Sequence, residues 1–318
     1  MYTVYADNIV EGDWFRDLSP QLEDAEIRLI GSRGRNPACV DELVRYDRPD
    51  IILLRDGKPT LVIEKTREVP TGHNVGQRVA RLVRAAEEHV PVIKFFPYDA
   101  KKHGDYAGIC NMNIRLLRTF QRMTEIHGVP VVAVNWPCDE HGELIDDGSE
   151  NDVMSALVDD YLHSGLDHDC DQFLACEESM ASEYKSRLAR RSSYGTLPPS
   201  VEIMDTDAFL AIANGCIDEA AVRELQVRPK TLVYTMDMSP DKCRREDPYT
   251  GMQFIYDYIC CRSGESPGDK HTNLVLRFPR IPKAIWMVNN PNDPSRKSCN
   301  WYLTANGLLF SDGYLFQR

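Results

Sequence analysis

Apolar residues recur along the chain in two rhythms. From Asn74 to His89 (NVGQRVARLVRAAEEH), small or apolar side chains fall at 75, 79, 82, 83 and 86. From Asn111 to His127, Ile114, Leu117, Phe120, Met123 and Ile126 recur about every third position. Both spacings follow the helical turn and predict amphipathic helices, the second ended by Gly128. Around them lie short continuous apolar runs: DIILL (50–54), TLVIEKT (60–66), PVIKFFPY (91–98) and VPVVAVNW (129–136). Runs of this length predict buried strands. Asp56-Gly57, between the first two, signals a hairpin turn. Further helices are expected over Ser19–Leu29 and Pro37–Tyr46. A hairpin followed by strand–helix–strand units predicts a mixed sheet with helices on its faces, an α/β layer architecture.

Beyond Trp136 the pattern changes. The expected division is a core at 1–137, an acidic helical insertion and linker at 138–199, and a C-terminal lobe at 200–318. The linker carries Lys185, Arg187, Arg190 and Arg191 and then SSYGTLPPS. In the last part Asp247-Pro248 reads as a helix start, and Thr231–Thr235, Leu274–Phe278 and Ala284–Val288 read as strands.

The 318 residues are 42% apolar and 27% charged, ordinary values for a folded chain. No apolar run is long enough to span a membrane. No secretory signal is read at the N-terminus, so the ten cysteines are expected to be reduced cytoplasmic thiols. The formal net charge of −12 argues against a polyanion partner, but the acid is unevenly spread. Cys138–Tyr184 holds 15 Asp or Glu and no Lys or Arg, and the remaining 34 acids face 37 bases. Gly72–Arg122 holds nine bases against four acids, and charge acts locally at ordinary salt.

With a turn at Asp56-Gly57, residues pair when their numbers sum to about 113–114, so Asp50 lies opposite Glu64 or its neighbour. Facing carboxylates at the edge of an apolar ladder repel unless a cation joins them. Mg²⁺ takes hard oxygen ligands of this kind. Lys65 and Lys94 are nearby cations. The alternative is that Asp50 caps a turn while Glu64 ends its strand, paired to Lys65 or Arg67.

Arg48-Pro49-Asp50 and Ile63-Glu64-Lys65-Thr66, with thirteen residues between Asp50 and Glu64, resemble the signature of the PD-(D/E)xK nuclease superfamily, and bacterial type II restriction endonucleases within it. The resemblance covers 37–136. It implies a restriction-endonuclease-like core, Mg²⁺ (with Mn²⁺ as a substitute) held by Asp50 and Glu64, Lys65 as the catalytic lysine, and Glu42 as an auxiliary acid. It also implies hydrolysis of double-stranded DNA to 5′-phosphate ends, a homodimer, a cognate methyltransferase, and DNA recognition or dimerisation as the work of the lobe at 200–318. One departure stands out. By strand parity Thr66, not Lys65, shares the face of Glu64. Either a bulge turns Lys65 inward, or Thr66 fills the slot and Lys94 supplies the cation, or the site is inactive.

The segment Gly72–Arg81 suits a phosphodiester, with His73, Asn74, Gln77, Arg78 and Arg81 as candidate phosphate ligands at a helix start. Base contacts are sought in Arg33-Gly34-Arg35-Asn36, Asn289–Asn292 and Ser295-Arg296-Lys297. His163, His168, Cys170 and Cys176 have zinc-ligand types at an unusual spacing, and Cys260-Cys261 is expected to face a core. No esterase elbow, Walker loop or dinucleotide fingerprint occurs. The rival readings are an inactive nucleic-acid-binding member of the same fold and a metal-dependent hydrolase of another substrate.

Overall fold

A computed structural model of the chain describes residues 1–70, 73–101, 108–190, 201–213, 215–236, 239–240, 272–288 and 301–317, and the side chains of 73–77 and 301 lie outside the description. The protein is mixed α/β, with three sheets flanked by helices. The first part runs β1 (Tyr2–Ala6), α1 (Ile9–Arg16), β2 (Glu26–Leu29), α2 (Ala38–Leu43), β3 (Ile51–Arg55), β4 (Lys58–Lys65), α3 (His73–Glu87), β5 (Val92–Phe96), a small hairpin β6 (Asp99–Lys101) and β7 (Ile109–Asn111), α4 (Arg115–His127) and β8 (Val131–Asn135). There follow α5 (Asp152–His163), α6 (Asp171–Arg190), β9 (Val201–Asp205), α7 (Thr206–Ile212), α8 (Glu219–Gln226), β10 (Lys230–Thr235), β11 (Thr272–Phe278), α9 (Lys283–Val288), β12 (Gly307–Phe310) and β13 (Gly313–Phe316).

The main sheet has the order β2-β1-β3-β4-β5-β8. The β3–β4 hairpin turns at Asp56 and Gly57, both left-handed with φ of 51° and 78°. That backbone matches the twist of a tight hairpin and suits Asp-Gly. Its register, Ile51 against Ile63, continues to place Asp50 across from Glu64, and a bulge between Leu53 and Leu54 absorbs the shift nearer the turn. From β4 the chain runs parallel through β5 to β8, with α3 and α4 as crossovers. Leu61, Val62 and Ile63 are all fully buried, so β4 is covered on both faces, as parallel strands usually are.

One face packs Ile52, Val62, Val92 and Phe96 against Val79, Leu82 and Val83 of α3 and Leu117 and Phe120 of α4. The other packs Ile51, Ile63, Phe95 and Val134 against Phe15 of α1 and Leu157 and Tyr161 of α5. α1 approaches closely because Gly12 lacks a side chain: a Cβ there would stand 2.7 Å from Ile27 Cγ2. The second sheet, β13-β12-β11-β10-β9, lays Leu232, Leu274 and Phe310 on the same core as α3 and α4. The core of α3 is thus continuous with both sheets. No helix among the described residues is long and apolar enough to cross a membrane.

Two local expectations are corrected. Ser19–Leu29 is not a helix. Ser19 caps a 3-10 turn at Pro20–Leu22, and Glu26–Leu29 becomes edge strand β2, paired parallel to β1. Ala284–Val288 is helical, not extended. Pro282 presets the first turn, its carbonyl accepting from the Ile285 N–H, while Asp312 accepts from Lys283 N at 2.6 Å. The helix expected at Asp247-Pro248, Cys260-Cys261 and the loops 289–297 lie outside the described residues.

A candidate active site of carboxylates, arginines and a buried lysine

Strand parity decides what gathers at the end of the hairpin. Glu64 pairs in register with Lys94, and Lys65 with Phe95. Opposite residues in a parallel pair share a face, so Glu64 and Lys94 point toward α3 while Lys65 points toward α1. The β4–β5 register runs on without a bulge. Lys65 Nζ therefore sits 3.9 Å from the Trp14 ring centre and 5.0 Å from that of Trp136. Burial lowers its pKa. Lys65 reaches Asp50 through its backbone, whose N–H donates to Asp50 Oδ2 at 2.7 Å. Thr66 stays on the carboxylate face but is engaged locally. Its N–H donates to the Phe95 carbonyl, and its hydroxyl accepts from Glu68 N.

Glu64 is fully buried and Asp50 nearly so. Burial first, and then the Glu64 charge, pushes the Asp50 carboxyl up to about 7. Lys94 is 2% exposed, and its Nζ finds no hydrogen-bond partner among the described residues. Loss of hydration pushes it down to about 8 although Glu64 favours its charged form.

The cations facing Glu64 come from α3. Arg78 Nη1 donates to Glu64 Oε1 at 3.2 Å, and Arg81 Nη1 donates to Oε2 at 2.9 Å. Arg81 also reaches to 3.8 Å from Asp50 Oδ1, while its Nε and Nη2 both donate to Asp47 Oδ2, at 3.1 and 2.6 Å. Burial raises the Asp47 pKa against the pull of Arg81. The two arginines thus point inward to carboxylates. Arg84, on the same helix, holds Glu42, Glu87 and Glu88, and Lys101 holds Glu143 at 3.1 Å. Much of the expected basic surface is internally neutralised.

Glu42 is accordingly placed with Arg84 and Arg45. The further acids of the cluster are Asp47 and, from the α1 side, Glu11. Burial raises the Glu11 pKa, Glu64 adds to that rise, and its Oε2 is buried without a partner among the described residues. Sequence reasoning passed over both. The signal for Asp47 was Asp47-Arg48-Pro49-Asp50, which sets two acids at one strand entry. The signal for the inward arginines was their i, i+3 spacing beside Leu82 and Ala85, along the border of the apolar stripe of α3. The side chains of His73, Asn74 and Gln77 lie outside the description.

Asp50 and Glu64 offer hard oxygen donors on one face, beside an unpartnered ammonium. That donor set fits Mg²⁺, with the Arg78 and Arg81 hydrogen bonds as competitors for Glu64. Elsewhere, His163 is exposed and lies 3.3 Å from Asp159, and Cys170 and Cys176 are buried in the core. No group of three metal-ligand types was found among the described residues. Asn36 is engaged with Gly31 and Asp41, leaving Arg33 and Arg35 exposed in that loop. Comparisons with family models, curated proteins and solved structures find no match to this chain.

Proposed function

We propose that the protein is a Mg²⁺-dependent, sequence-specific endonuclease of double-stranded DNA, with a restriction-endonuclease-like core. The observation that carries this reading is the convergence, on one face of the sheet, of Asp50, Glu64 and the buried ammonium of Lys94, which has no hydrogen-bond partner among the described residues. Asp50 and Glu64 hold the cation, for which Mn²⁺ substitutes. The bound cation supplies Lewis-acid polarisation of the phosphodiester and acidifies water. Lys94, desolvated and without a hydrogen-bond partner among the described residues, is set to donate to an anionic oxygen that enters beside Glu64; in a dry site that contact is strong. In this reading Lys94 performs the role that the resemblance gave to Lys65. Arg78 and Arg81 are next to the same oxygens and supply phosphate contacts. The products carry 5′-phosphate and 3′-hydroxyl ends, as the resemblance implies. A homodimer on a two-fold site, a cytoplasmic setting and a cognate methyltransferase complete the proposal.

The arginine pairing of both Glu64 oxygens favours a second reading, an inactive nucleic-acid-binding member of the same fold. Plasmid cleavage separates the two. The first reading expects nicking or linearisation in Mg²⁺ that is lost with EDTA, and reduced by more than about a hundredfold in Asp50→Ala and Glu64→Ala, beyond what loss of an outer-shell partner causes. Intact plasmid with every divalent ion, together with retained binding of duplex, would establish the second.

A further inference from the structure

Glu64 has two carboxylate oxygens, and each accepts from an arginine. Each oxygen keeps a second lone pair, so a cation that ligates Glu64 either shares an oxygen with Arg78 or Arg81 or displaces one of them. The charges also matter. Asp47, Asp50 and Glu64 are faced by Arg78, Arg81 and Lys94, three formal negative charges against three positive. Glu11 and Lys65 offset one another on the α1 side. Adding a dication to a balanced, largely buried cluster leaves excess positive charge in a poorly solvated place, which is strongly unfavourable. Balance returns if a guanidinium leaves or an anion enters. A phosphodiester accomplishes both, because guanidinium pairs well with phosphate oxygens.

The geometry allows such movement. The Arg78 and Arg81 side chains are 19% and 15% exposed, against 0% for Glu64, so they stand at the rim of the cluster. Arg78 holds Glu64 by one hydrogen bond, at 3.2 Å. Arg81 holds Glu64 by Nη1 alone, and its bonds to Asp47 keep it anchored when Nη1 turns away.

We propose that Arg78 and Arg81 are displaceable internal counter-ions of the carboxylate pair, exchanged for a divalent cation and handed to the backbone phosphate of bound DNA, so that metal and duplex each strengthen the binding of the other. The proposal rests on the nuclease reading and names the device that couples its two ligands. Coupling of this kind is reciprocal: the factor by which duplex raises metal affinity equals the factor by which metal raises duplex affinity.

The test is calorimetric titration of the full chain with Ca²⁺, alone and with a short DNA duplex of arbitrary sequence, since phosphate contacts are sequence-independent. Wild-type protein should bind Ca²⁺ about tenfold more tightly with duplex present, the order of an ordinary coupling between sites. Arg78→Gln and Arg81→Gln should bind Ca²⁺ alone more tightly than wild type, by up to about tenfold, and gain less from duplex. Equal or weaker Ca²⁺ binding by the arginine variants would overturn the exchange. If Arg81→Gln does not fold, Arg78→Gln decides, because it leaves the Asp47 bonds in place. Asp50→Asn and Glu64→Gln separate the layers. If wild type binds Ca²⁺ through these two residues and the arginine variants behave like wild type, only the exchange fails. If wild type binds no Ca²⁺ even with duplex present, or binds it equally without these carboxylates, the nuclease reading fails and the exchange with it.

Discussion

Lys94→Met is the sharpest perturbation of the site that needs no substrate. The ammonium is 2% exposed, lies in register with Glu64, and has no hydrogen-bond partner among the described residues. Its pKa falls from 10.5 to about 8 on folding. At about 1.4 kcal/mol per unit, holding this lysine charged inside the fold costs about 3 kcal/mol at neutral pH, attraction to Glu64 included. The sign follows from linkage. A depressed pKa favours the fold above 10.5, and that advantage is lost as pH falls through 8, so the full penalty applies at pH 7. Methionine has similar reach and no charge, and it sits well among Phe96 and its neighbours. Lys94→Met should therefore be more stable than wild type by up to about 3 kcal/mol at pH 7, with the gap closing between pH 8 and 10.5. Urea unfolding at pH 7 and pH 10 measures both numbers. The proposed nuclease should lose cleavage in the same variant. A variant less stable than wild type at pH 7 would refute the reasoning, because it would mean that the ammonium is a net stabiliser of Glu64.

The neighbouring groups give opposite expectations. Arg81→Met should lose about 3–5 kcal/mol in denaturant unfolding, the cost of breaking a buried ion pair from one side; a loss below about 1 kcal/mol would place Arg81 among weak surface pairs. Lys65→Met removes a contact over Trp14 worth about 0.5–1 kcal/mol and should leave Mg²⁺-dependent cleavage within a few-fold of wild type. Loss of cleavage equal to that of Lys94→Met would return the catalytic role to Lys65. Neutralising acids of α5 and α6 should tighten non-specific duplex binding and steepen its salt dependence, as measured by fluorescence anisotropy across a salt series; unchanged affinity and slope would show that this acidic layer has no part in DNA discrimination.

The hairpin was legible because its information is local. Asp56-Gly57 specifies both left-handed turn residues, and the turn sets the pairing of Asp50 with Glu64. The helices α3 and α4 were legible from their apolar period, and the parity rule correctly separated Glu64 from Lys65. Strands β1 and β2 were not read: both are short, and β2, at the edge of the sheet, is largely exposed, so neither carries a long apolar run. The stretch Ala284–Val288 misled because a short apolar run does not distinguish a buried helical turn from a strand. The arginines were hardest. Period places Arg78 and Arg81 on the border of the apolar stripe of α3, but their inward turn depends on the strand ends packed beneath them, which bring Glu64 to the neighbouring acids Asp47 and Asp50.

The central claim is that Asp50 and Glu64 work as a pair to cut DNA. Its most direct measurement is digestion of a sequenced phage genome in Mg²⁺ by wild type and by Glu64→Gln, with the fragment ends sequenced. The account predicts discrete fragments with 5′-phosphate ends at one recurring sequence for wild type, and uncut genome for the variant. A genome left whole by wild type in both Mg²⁺ and Mn²⁺, or cut equally by Glu64→Gln, would contradict it.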